Sequence, residues 1–174
     1  MKIMKSAILL VFVTTLFLSC KENMQSDAMD EIQGKEIIDI SKEKEEVLII
    51  MKTYKDALQN LTTEGTFELF SESAKVFEQG KAEGTYKDYI DHHLGPELGH
   101  FKRFQFSNYE IDVTVNLPYA FTTETYNYTI ILKANEEKET EERIIESKGI
   151  ATSVLEKDNG IWKIINSHSS FKKL

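Results

Sequence analysis

"GIWKIINSHSSF", residues 160–171, decides how the rest of the chain is read. Side chains alternate along a strand, so Trp162, Ile164, Asn166, His168 and Ser170 share one face. Lys157-Asp158-Asn159-Gly160 just ahead of it has the residues of a tight turn. Three more segments upstream carry the same period: "RIIESKGIATSVLEK" (143–157), "YAFTTETYNYTIILK" (119–133) and "NYEIDVTVN" (108–116). In the last, Tyr109, Ile111, Val113 and Val115 face one way and Glu110, Asp112 and Thr114 the other, as in a half-buried strand. Turns at Asn116-Leu117-Pro118 and at "ANEEKETEE" (134–142) separate them. Strands joined this directly pair antiparallel, which predicts a curved meander.

Before Phe101 the period is helical. Ser41 offers an N-cap, and Val47, Ile50, Met51, Tyr54, Leu58 and Leu61 follow at spacings of three and four, the stripe of an amphipathic helix. A second, short helix is expected around Phe67 to Phe70. "AKVFEQGKAEG" (74–84) reads as a brief strand or hairpin carrying Val76 and Phe77. Thr85 with Asp88 forms a capping box for a third helix, "TYKDYIDHHL" (85–94), which Gly95-Pro96 is expected to stop.

Three helices, a hairpin and four long strands make an α+β domain in which helices cover one face of a bent sheet. This order resembles the NTF2-like or SnoaL-like cone fold over roughly Lys44 to Lys172. The markers are the first helix "VLIIMKTYKDAL", the segment "LFSESAKVFEQGKAEGTYKDYIDHHL" and above all "GIWKIINSHSSF", which is similar to the W-[KR]-I-x-x-x-H-x-S ending of that superfamily. The resemblance implies a cone with three N-terminal helices packed on a curved antiparallel sheet, and a homodimer formed through the sheet's outer face. It leaves activity open, because the fold hosts isomerases, cyclases, dehydratases and non-enzymatic binders.

The chain's 174 residues suffice for one such domain plus appendages. Its net charge of -8 and its two arginines, Arg103 and Arg143, argue against nucleic acid as a partner. The N-terminal appendage is "MKIMKSAILLVFVTTLFLSC", where Lys2 and Lys5 precede an apolar run from Ala7 to Leu18. That run is shorter than the roughly 20 residues a spanning helix needs and reads as an export signal. The chain's single cysteine, Cys20, closes it. A lone cysteine has no disulfide partner, and "FLSC" resembles a bacterial lipobox of the Bacteroidetes type, with Phe17 in place of the usual leucine. No A-x-A pattern supports ordinary secretion instead.

The organisation expected is therefore a lipoprotein signal peptide over 1–19, acylated Cys20 and a flexible acidic tether over 20–40, and the domain over 41–174. Loss of the signal removes two lysines and no acids, leaving 19 basic against 29 acidic residues, a net -10. Such a surface is repelled by anionic headgroups, so membrane attachment rests on the lipid at Cys20. The resemblance implies a protein anchored in the cell envelope, at the outer membrane.

Three of the four histidines lie in "YIDHHLGPELGH" (89–100). On a helix, Tyr86, Tyr89, Ile90, His93 and Glu97 fall on one side, with His92 about 100° round toward solvent. His92 and His93 are therefore not a two-pronged ligand. The resemblance places His168 at the inner or rim side of the cone, where it can meet His93 across a pocket with Tyr89, Asn166 and Trp162. Two imidazoles with Glu97 or Asp112 nearby suit Zn²⁺ or Cu²⁺, His100 completing the set with His93, Glu97 and His168, or serve as general acid and base. The alternative is that both histidines are satisfied packing residues. No glycine-rich phosphate loop, calcium loop or nucleophile turn is present, and no cofactor is expected beyond such a metal. The leading functional expectation is a small-molecule or protein-partner binder, the alternative an isomerase-type acid–base enzyme.

Overall fold

The structure is a computed structural model, describing residues 39–135 and 139–174. The signal, Cys20 and nearly all of the tether lie outside the described residues, and the compact unit treated below runs from Asp39 to Leu174. Helix α1 spans Ile40–Gln59 and buries Val47, Met51 and Ala57. Ile50, Tyr54, Leu58 and Leu61 pack partly buried against the same core, so the expected stripe is the buried face. Its cap lies two residues earlier than expected: Asp39 Oδ1 accepts the Ser41 and Lys42 N–H groups at 3.0 and 3.3 Å.

The second expected helix is a single 3₁₀ turn, Phe67–Leu69, because Phe70 already belongs to a strand. Strand β1 (Phe70–Glu78) and β2 (Lys81–Thr85) form the expected hairpin. A continuous helical segment then runs from Tyr86 to His100: α2 (Tyr86–Tyr89), a π turn (Ile90–Leu94) and α3 (Gly95–His100). Thr85 and Asp88 form the expected capping box. Strands β3 (Phe101–Asn116), β4 (Tyr119–Leu132), β5 (Arg143–Asp158) and β6 (Ile161–Lys173) complete the sheet.

The sheet order is β2-β1-β6-β5-β4-β3. The four long strands form the antiparallel meander, but β1 pairs parallel with β6, so the sheet is mixed rather than antiparallel. A parallel neighbour needs a long crossover, and here β2, the helical segment and β3 to β5 lie between β1 and β6.

Gly95-Pro96 does not end the helix. Gly95 keeps helical angles, and its N–H donates to the Ile90 carbonyl five residues back. The widened π turn absorbs the misfit, and Pro96, which has no N–H to lose, sits in the first turn of α3.

Two β-bulges set which side chains face inward. In β3, Ser107 pairs with Asn127 and Glu110 with Thr125, so Asn108 and Tyr109 together oppose Tyr126. Phe106 and Tyr109, at positions of opposite parity, consequently both line the interior. In β6, Ile164 pairs with Leu155 and Asn166 with Val154, leaving Ile165 as the extra residue. The inward face thus passes from Trp162 and Ile164 to Ser167 and Ser169, and His168 is exposed. The expectation that Trp162 to Ser170 keep one face fails at this extra residue.

Candidate functional site

The concave face of the sheet, α1 and the helical segment enclose a cavity of about 450 Å³. Its wall is largely aliphatic and aromatic, including Met51, Leu58, Leu94, Phe101, Phe104 and Ile130. Size and lining are those of a small-molecule site. Two polar groups of side chains reach into it.

The first is built on the helical segment. The segment carries Tyr89, His93 and Glu97 four residues apart, and all three line the cavity. His93 Nδ1 lies 3.1 Å from Glu83 Oε1, and its Nε2 lies 3.4 Å from Glu97 Oε1 and 3.9 Å from Glu78 Oε2. The Tyr89 hydroxyl donates to Glu78 Oε2 at 2.7 Å, and its ring lies 5.3 Å from the imidazole. Glu83 is deeply buried at 4 % side-chain exposure, whereas Glu97 is 51 % exposed. The imidazole is the partner closest to Glu83 Oε1, an oxygen shielded from water, while Oε2 accepts from Lys81 at 2.8 Å. Lys81 and then His93 hold the Glu83 carboxyl below its ordinary value against the cost of burial. Burial pushes Glu97 up, opposed by His93 and reinforced by Glu78 and Glu83. With Nδ1 turned to Glu83, Nε2 is the imidazole atom free to exchange a proton with Glu97 or a bound molecule.

The second group surrounds Glu124 on β4, which is 7 % exposed and lines the cavity. The Tyr109 hydroxyl donates to its Oε2. The Tyr109 and Tyr126 rings lie nearly parallel, 6.3 Å apart at 16°, and Phe106 meets Tyr126 edge-on at 5.0 Å. Lys55 Nζ sits 4.6 Å from the Tyr109 ring centroid. Burial raises the Glu124 carboxyl above its ordinary value, against the Tyr109 hydroxyl and Lys55. Burial and Glu124 likewise push the Tyr109 and Tyr126 hydroxyls up. Opposite Tyr126 stands Gly149, where a Cβ would come within 2.2 Å of the tyrosine ring, so its missing side chain makes room for Tyr126.

Several residues expected at the site are elsewhere. His168 is exposed and does not line the cavity. Trp162 is core, its Nε1 donating to Glu43 Oε2 of α1 at 2.8 Å, and Asn166 is absent from the lining. His100 and Asp112 are exposed on their elements. The expected metal set His93, Glu97, His100 and His168 is therefore not assembled. Among the described residues no group of three or more His, Cys, Asp or Glu is arranged to hold Zn²⁺, Cu²⁺ or another metal ion.

Glu78, Glu83 and Glu124 were not expected at the site. Glu124 did leave a trace, as an acid among Ala120, Thr122, Tyr126, Tyr128 and Ile130 on the apolar face of an alternating strand. Glu78 and Glu83 flank the Gln79-Gly80 turn and look like any solvated hairpin pair.

Residues 47–172 match the model of the SnoaL-like domain, and the chain belongs to that family. Solved structures agree on the fold. A candidate dehydratase of the NTF2-like family from Streptomyces avermitilis is 14 % identical with a TM-score of 0.63, covering 75 % of this chain and 96 % of its own. An NTF2-like superfamily protein from Salmonella enterica is 15 % identical with a TM-score of 0.62, covering 78 % and 93 %. A candidate ketosteroid isomerase from Shewanella frigidimarina is 24 % identical with a TM-score of 0.57, covering 70 % and 91 %. No curated protein matches the sequence significantly.

Proposed function

We propose that this domain binds a small amphipathic organic molecule in its cone, and that lipid on Cys20 holds it at the cell envelope, at the outer membrane. The observation that carries the binding reading is the 450 Å³ cavity, walled by apolar and aromatic side chains and reached by two polar groups. Saturable uptake of the neutral probe N-phenyl-1-naphthylamine tests it, read as a rise in probe fluorescence. Ala151, on the β5 wall, should abolish uptake when replaced by tryptophan, which fills the space. Uptake that never saturates, or that survives Ala151→Trp in a folded protein, contradicts the reading. The anchor rests on the lipobox resemblance around Cys20 and on the 1–19 signal. Radiolabelled palmitate should enter the chain in a bacterial host and vanish with Cys20→Ser, and labelling that persists in that variant rejects it.

A second reading is acid–base catalysis on the bound molecule. It is favoured by His93, whose Nδ1 faces Glu83 while Nε2 faces Glu97, a carboxyl raised by burial. The pair is then His93 with Glu97 rather than His93 with His168.

A further inference from the structure

The buried polar group narrows the class of molecule the cavity takes. Glu124 is more than nine-tenths buried, lines the cavity and accepts a hydrogen bond from one hydroxyl, that of Tyr109. Among the described residues no lysine, arginine or histidine nitrogen lies within 4.0 Å of its carboxylate. The nearest cation in the same group, Lys55, rests on the Tyr109 ring and pairs with Asp56 at 3.8 Å on its own helix. A buried carboxylate is costly without an ionic partner or several donors, and one hydroxyl supplies neither in full.

Around this carboxylate stand the rings of Tyr109, Tyr126 and Phe106. A carboxylate bordered by aromatic faces is the recognition set for an organic ammonium, which gains both charge pairing and cation–π attraction. Glu78 and Glu97 join Glu124 in the cavity lining against Lys55 and Lys173, three carboxyl side chains to two amines, and the whole chain carries -8. The field thus favours entry of a cation over an anion.

We infer that the ligand of this cavity is an amphipathic amine, its ammonium lodged against Glu124 among Tyr109, Tyr126 and Phe106, and its apolar body along the aliphatic wall. The inference rests on the cavity being a binding site, as proposed above.

Three probes that share an indole ring and differ in the charge of a short chain decide it: tryptamine, tryptophol and indole-3-propionate. Each is titrated calorimetrically at pH 7 into the full chain and into Glu124→Gln, with N-phenyl-1-naphthylamine uptake measured in parallel. Tryptamine should bind roughly tenfold or more tighter than tryptophol, with indole-3-propionate weakest. In Glu124→Gln tryptamine and tryptophol should come within about threefold of each other. Tryptophol or indole-3-propionate binding as tightly as tryptamine to the unaltered chain overturns the amine inference, while saturable naphthylamine uptake leaves the cavity reading standing. An unchanged tryptamine preference in Glu124→Gln overturns the role of Glu124. Absence of both indole binding and naphthylamine uptake overturns the inference and the cavity reading together. The series in the unaltered chain decides even where Glu124→Gln does not fold.

Discussion

The His93 group and the Glu124 group line one cavity but are held by opposite means. His93 hangs from a helical segment bent by a π turn, and its neighbours Glu83, Glu97 and Glu78 come from β2, α3 and β1. The Tyr109 hydroxyl of β3 reaches Glu124 on adjacent β4, where Glu124 itself pairs with Ile111 and Tyr109 opposes Tyr126, two residues further along. The helical group keeps a half-exposed carboxyl, Glu97, and can exchange protons with solvent. The sheet group is shielded and rigidly paired, which suits recognition more than proton traffic. One cavity thus joins a partly exposed side, open to solvent at Glu97, to a shielded side whose carboxyl is Glu124.

The two groups can be broken one at a time. The largest effect is expected at Gly95, where a Cβ would stand 2.5 Å from the Ile90 carbonyl oxygen. Gly95→Ala must therefore break the π turn, at a cost of about 3 kcal/mol in a urea melt. It should disturb the His93 ring resonances while leaving those of Tyr126 in place. Gly99→Ala is the control: nothing lies within 4 Å of that position, and the variant should be neutral or gain up to about 1 kcal/mol.

Gly149→Ala is the mirror experiment. The obstructed atoms are the edge of the Tyr126 ring, which can swing into the cavity, so the expected loss is smaller, about 1–2 kcal/mol. Here the Tyr126 resonances should move and those of His93 stay. Were either glycine variant to shift both groups equally, they would be one coupled unit.

Acidity gives the finest comparison. Burial raises both Glu124 and Glu97, so each contributes stability that is complete below the ordinary glutamate value and lost as pH rises through the raised one. The melting temperature of the unaltered chain minus that of Glu124→Gln should accordingly fall as pH rises above the ordinary glutamate value. Glu97→Gln should show the same sign and a smaller change, because that side chain is half exposed. A difference that grows with pH for Glu124 would mean its carboxylate is stabilised, not desolvated.

Legibility in the sequence followed how local each determinant is. The α1 stripe, the Thr85–Asp88 box and the β3 alternation from Tyr109 onward depend on near neighbours, and the structure has them where the pattern put them. His93 pointing inward was equally local. The parallel β1–β6 pairing, by contrast, joins segments about ninety residues apart and leaves no periodic signal. A bulge is subtler still, since one extra residue at Ile165 turns Ser167 and Ser169 inward and carries His168 out of the site. The β3 bulge did the opposite service, aligning Phe106 with Tyr109. Gly95-Pro96 has the residues of a helix stop and ends no helix because the backbone widens by one residue per turn there.

The most direct test of the central claim is a nuclear Overhauser spectrum of the chain saturated with N-phenyl-1-naphthylamine. Contacts are expected from the one bound probe to ring protons of both Tyr126 and His93, since both side chains line the same cavity. Contacts confined instead to exposed Phe121 and Ile150 would place the probe outside the cavity and contradict it.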